Sequence, residues 1–139
     1  MVTFQAIQDA ALQIAERFKP ERIILFGSYA YGKPNEDSDV DYMVLFSQRK
    51  VSDRDLAIRS VIKFDFPVDL LVRSRAEFER RIALEDFFLR EINDKGVVLY
   101  EAADLDHARF ETLGFGISPV TKSATKFPVP AEALESSAR

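Results

Sequence analysis

Cysteine is absent from this 139-residue chain, and histidine occurs once, at His107. Without thiols there can be no disulfide framework and no thiolate metal site. A Ser-His nucleophilic device is disfavoured as well: no GxSxG elbow is present, and His107 lies in a segment that reads as a tail. Long apolar runs are also missing, so no membrane span is expected. The opening stretch MVTFQAIQDAALQIAERF lacks a basic start followed by an apolar block, so no signal peptide is expected and the protein reads as cytoplasmic. Excess positive charge is lacking too. The formal net charge is −4, which argues against direct nucleic-acid binding, where Lys and Arg on phosphates supply most of the affinity.

What remains is ordinary for a globular chain, with 47% apolar and 30% charged residues, enough for one domain with a real core. Phe4, Ile7, Ala11, Ile14, Ala15 and Phe18 recur at helical spacing, predicting a helix over 3–18 that ends at Pro20. RIILF, 22–26, reads as a buried strand stopped by Gly27, and SDVDYMVLF, 38–46, as a second. Ser52 or Asp53 is placed to cap a helix across DRDLAIRSVIKF. FPVDLLV, 66–72, predicts a third strand interrupted by Asp69. Residues 74–94 read as helix in two pieces around 84–86, with Phe78, Ile82, Phe88 and Ile92 as core candidates. GVVLYE, 96–101, predicts a short fourth strand. This alternation predicts an α/β fold, a short mixed sheet flanked by helices. From 102 onward periodicity fades, which divides the chain into a domain at 1–101 and a flexible tail at 102–139.

Gly27, four residues, Gly32 and Lys33 almost spell a phosphate-binding P-loop. Pro34 then stands where that motif needs a hydroxyl, and it biases Lys33 away from helical geometry where the helix should start. The P-loop reading is therefore dropped. The acids carry more. Asp39 and Asp41 are two apart in a strand and so share a face. If the second and third strands are neighbours, Asp69 joins them, and a self-repelling trio of carboxylates would take up protons or bind cations. Oxygen-only donors favour a hard ion, Mg²⁺ or Mn²⁺. Two such ions are the usual machinery of nucleotidyl transfer. Gly27 allows close backbone approach to a phosphate, and Ser28 can donate its hydroxyl and cap a short helix over SYAYG.

Gly27-Ser28, ten residues, then Asp39-Val40-Asp41, with Asp69 alone on a later strand, resembles the nucleotidyltransferase domain of the DNA polymerase beta superfamily. The small size and the ending FLREINDKGVVLYE resemble its minimal nucleotidyltransferases, the MNT proteins. The resemblance spans roughly residues 5–101. It implies a polymerase-beta-like nucleotidyltransferase fold, with Asp39, Asp41 and Asp69 as catalytic metal ligands. Asp69 would also be the base for the incoming nucleophile. Gly27 and Ser28 would hold the β- and γ-phosphates of ATP, and Lys33 would add a point charge. Members often carry Arg in this helix, as in GSRARG, where this chain has Tyr29 and Tyr31. The resemblance further implies a HEPN-domain toxin as partner in a hetero-oligomer, with this chain as an antitoxin that transfers AMP to a toxin tyrosine. The alternative is a catalytically weak or inactive subunit that neutralises a partner by binding.

Overall fold

The computed structural model describes residues 1–102; the expected tail, Ala102 apart, and His107 with it, lie outside the described residues. Helix α1 (Phe4–Phe18) begins where Thr3 Oγ1 accepts a hydrogen bond from the Ala6 N–H at 3.1 Å. It ends at Lys19, which takes the left-handed conformation just before Pro20, a common way to terminate a helix. Its buried stripe is Ile7, Ala10, Ala11, Ile14 and Ala15, whereas Phe4, expected in that stripe, is exposed. There follow β1 (Arg22–Phe26), the four-residue α2 (Ser28–Tyr31), β2 (Val40–Phe46), α3 (Arg54–Val61), β3 (Val68–Ser74), α4 (Arg75–Ala83), α5 (Phe87–Lys95) and β4 (Val97–Glu101). This is the mixed α/β fold the alternation predicts.

The four strands form one sheet in the order β3-β2-β1-β4. β1 runs antiparallel to both β2 and β4, while β2 and β3 are parallel. Alternation along the strands feeds two cores. Ile23, Leu25, Val40, Tyr42, Val44, Phe46, Leu70 and Val72 pack with residues of α1 and with Ile58 of α3. On the other face Ile24, Phe26, Met43 and Leu45 pack with Phe78 and Ile82 of α4 and with Leu89 and Ile92 of α5. Buried Tyr42 ties the first layer to the sheet, its hydroxyl donating to the Ile7 carbonyl at 2.9 Å. At the far end of β1, buried Arg22 pairs with Glu101 of β4. Burial holds the Arg22 guanidinium down at about 10, and Glu101 opposes that shift.

The break expected near 84–86 is present and has a physical cause. Glu85 has φ of 64°, and Asp86 then caps α5 by accepting from the Leu89 N–H at 3.1 Å. Phe88 corrects an expectation: it is half exposed rather than in the core, because Leu89 and Ile92 take the inward positions of α5. Asp53 precedes α3 in a left-handed conformation and makes no capping hydrogen bond through its side chain. Among the described residues no helix is long and apolar enough to cross a membrane.

Phe78 is fully buried between α4 and the sheet, whereas Leu84 beyond it is 67% exposed. Phe78→Ala is expected to lower unfolding free energy by about 3–5 kcal/mol, and Leu84→Ala by less than about 0.5 kcal/mol. Urea midpoints of the two variants measure the difference.

Candidate active site

Strand direction brings the predicted residues to one end of the sheet. β1 ends at Phe26, and because β2 is antiparallel to it, β2 starts there; β3, parallel to β2, starts there too. Asp41 stands opposite Phe26 on one side and opposite Asp69 on the other. Alternation places both acids on the α4/α5 face, since Met43, two residues beyond Asp41, and Leu71, two beyond Asp69, lie in that layer. Asp39 lies just ahead of β2 and is exposed, as is Asp69, while Asp41 is half-buried.

Gly27 joins β1 to α2 with φ of +79°, a conformation that disfavours any side chain. It is also pressed against the acid: a Cβ built on Gly27 would lie 1.9 Å from Asp41 Oδ2. The sharp turn and the carboxylate thus share one space, which only glycine leaves free. The Gly27 carbonyl accepts from the N–H groups of Ala30 and Tyr31 at 2.9 and 3.0 Å, closing the single turn of α2. Gly27 itself takes the N-cap position, so Ser28 does not cap α2 as expected but opens it as the first helical residue. Lys33 follows the turn and is exposed. No helix continues from it among the described residues, in keeping with the rejected P-loop.

Burial, then Asp69, then Asp39 push the Asp41 carboxyl up to about 6 from its ordinary 3.8. Among the described residues, no three His, Cys, Asp or Glu side chains lie close enough together to hold an ion as they stand. The donor chemistry nevertheless fits a hard divalent cation. Three oxygen-bearing acids sit at one strand end, and two of them already act on the third through space.

The two tyrosines of α2 part company. Tyr29 packs with the α1 layer and its hydroxyl accepts from the Val2 N–H at 3.2 Å, a packing role. Tyr31 turns to the other face. Its phenol is raised by burial, with the Gly27 backbone hydrogen bond opposing and Glu91 and Asp41 adding. The Phe88 ring meets Phe26 edge-on at 5.8 Å, and Lys95 Nζ lies 5.9 Å from the centre of the Tyr31 ring. Phe88, Glu91 and Lys95 follow helical spacing, so one face of α5 walls the site. That spacing is visible in FFLREINDK, but sequence does not say which element the face would border. An open cleft of about 470 Å³, lined by residues including Arg59, Lys63, Phe64, Phe66 and Val68, lies at the start of β3. Val68 and Phe64 belong to the α1 layer, so this cleft is on the opposite face from the acids.

A family model described as a nucleotidyltransferase domain matches residues 7–99. The chain belongs to the nucleotidyltransferase domain family. Two proteins of Methanocaldococcus jannaschii, each named "Putative protein adenylyltransferase", are similar to this nucleotidyltransferase. One is 32% identical over 90 residues, 65% of this chain and 88% of that protein. The other is 31% identical over 80 residues, 57% of this chain and 78% of that protein. A crystal structure described as a "putative nucleotidyltransferase from Sulfolobus solfataricus" aligns with a TM-score of 0.49 at 22% identity, over 70% of this chain and 78% of that one.

The crowding of acids in this nucleotidyltransferase has a measurable cost. Asp41 titrates higher folded than unfolded, so the folded state binds more protons, and this group's contribution to stability falls as pH rises from 3.8 to about 6. Above that range the loss is constant. Asp41→Asn, without the charge, is expected to melt higher than the parent at pH 7.5 in chelator. The gap should narrow through pH 6 and close near pH 4. Thermal melts across that range read it directly; a pH-independent gap would mean that Asp41 carries no charge strain.

Proposed function

We propose that this nucleotidyltransferase moves AMP from ATP onto a hydroxyl of a partner protein, the partner being a HEPN-domain toxin and the acceptor a tyrosine. The chain would act as antitoxin in a cytoplasmic hetero-oligomer, with residues 1–101 as its catalytic unit. The observation that carries the reading is the meeting of Gly27, Asp41 and Asp69 at one end of the sheet. A backbone able to approach a phosphate there adjoins carboxylates that need a cation. The adenylyltransferase names of the two relatives support the choice of AMP and of a protein acceptor.

In this reading Asp39, Asp41 and Asp69 hold Mg²⁺, two ions in the full site, with Mn²⁺ as a substitute. The ions would neutralise phosphate charge and lower the pKa of the attacking hydroxyl. Gly27 and Ser28 hold the β- and γ-phosphates, and Lys33 adds charge from solvent. Asp69, exposed at the mouth of the site, takes the proton from the acceptor hydroxyl. The acceptor oxygen forms its bond to the α-phosphorus as the bond to the β-bridging oxygen breaks, and pyrophosphate leaves. The chain's contribution is placement and charge, the terms that dominate phosphate chemistry.

One observation favours a second reading, a subunit that neutralises its partner by contact alone: α2 carries no basic side chain to meet a triphosphate. Intact-mass measurement of the HEPN-domain protein after incubation with the chain, ATP and Mg²⁺ separates the two. Gain of one AMP is expected, absent with Asp39→Ala or Asp41→Ala, and slowed about 10²–10⁴-fold with Asp69→Asn. Neutralisation with no mass change in the partner would establish the contact mechanism instead. Circular dichroism of each variant confirms that the fold persists.

A further inference from the structure

The proposed transfer brings a triphosphate to a sheet end that already holds Asp39, Asp41 and Asp69. Beside the divalent ions and the solvent-side Lys33, a further protein cation at the outermost phosphate would strengthen the grip on the triphosphate through a charge-assisted contact. α2 supplies none. The other face of the site does. Lys95 sits in the last turn of α5, with its Nζ 3.6 Å from Glu91 Oε2 and above the Tyr31 ring. Tyr31 belongs to the phosphate loop itself, its N–H donating to the Gly27 carbonyl at 3.0 Å, so the ammonium over its ring stands beside that loop.

Both contacts that hold Lys95 are weak. The Glu91 pair is exposed, 59% for the lysine side chain and 47% for the glutamate, and such pairs contribute little. The ring contact lies at the outer limit of an effective cation–π distance. A lysine held this way is localised over the loop yet free to change partner. Its compact charge on a flexible stem suits a phosphate oxygen.

We infer that Lys95 binds the terminal phosphate of the nucleoside triphosphate, exchanging Glu91 for it while the Tyr31 ring keeps the ammonium over the loop. The inference rests on the nucleotidyl-transfer reading above and adds a residue that the GS and DxD pattern does not contain. The terminal phosphate departs within pyrophosphate, so Lys95 grips the triphosphate and pyrophosphate but not the AMP moiety. Its loss should therefore depend on which phosphates the ligand carries.

Isothermal titration in Mg²⁺ with α,β-methylene-ATP, which cannot transfer its AMP, tests this without any acceptor. Lys95→Ala is expected to bind the analogue about tenfold more weakly than the wild type. Its affinity for AMP should be unchanged, and Lys95→Arg should come back to within about threefold of wild type. Because Lys95 is exposed, the variants should melt with the parent. Equal binding of the analogue by wild type and Lys95→Ala would overturn this inference and leave the nucleotide reading standing. Equal losses for the analogue and AMP would also overturn it. A wild-type protein that binds no analogue would remove both.

Discussion

β2 lies between β1 and β3, and its alternation sends Val40, Tyr42, Val44 and Phe46 to one helical layer and Asp41, Met43 and Leu45 to the other. Seven residues of β2 pair with seven of β3, from Val40↔Val68 to Phe46↔Ser74, and five pair with β1. A slip of one residue would bury Asp41 beneath α1 and turn Tyr42 to the α4/α5 face. The apolar register therefore fixes the acids without any contact among the acids themselves. The self-repelling end of the sheet is held together by the layers of Tyr42, Phe46 and Phe78 behind it, all fully buried.

That division of labour shows in the charges. Asp39 and Asp69 sit in solvent at the strand starts, while Asp41, one step further into the sheet, is half-buried and bears the strain of the cluster. Gly27 compounds it. Its turn closes α2 through backbone hydrogen bonds, and the adjoining Asp41 carboxylate occupies the space a side chain there would need. The Gly27 turn and the acid pair are thus one mechanical unit, linked by the Phe26↔Asp41 pairing of neighbouring strands.

Much of this is legible in the sequence because it depends on local rules. The 3.6-residue spacing of Ile7, Ala11 and Ile14, the break before Asp86 and the Gly-Ser ahead of Asp-x-Asp all read directly, whereas neither Asp53 nor Ser28 makes the side-chain cap expected of it. Strand starts read less well, for reasons seen in particular residues. Ser38, expected to open β2, belongs to the preceding turn: its N–H donates to the Asn35 carbonyl at 3.1 Å and its hydroxyl accepts from the Asn35 N–H at 2.8 Å. Pro67 has no N–H to give a ladder, so β3 begins at Val68, two residues later than expected, with the Pro67 carbonyl accepting from the Val40 N–H at 2.9 Å. β3 also runs on to Ser74, because β2 offers partners as far as Phe46. The role of α5 as a wall was not legible at all. Phe88 has the composition of a core residue, and only the packing of Leu89 and Ile92 leaves it at the rim against Phe26.

The same packing explains how a short chain can build a site with so little side-chain cation near its turn. α2 has four residues, and its two tyrosines face different layers, so one anchors the helix to α1 while the other lies against α5. Arginine at either place would lay only its stem along this half-buried seam and carry its charge out to solvent. Tyrosine fills the seam and leaves only its hydroxyl at the polar edge. Charge can then come from an element that needs none of that seam, the solvent side of α5. There a lysine stays hydrated and complements the helix dipole at the C-terminus. Binding charge and core packing are in this way assigned to different elements, which lets the turn at Gly27 stay as tight as the Asp41 carboxylate demands.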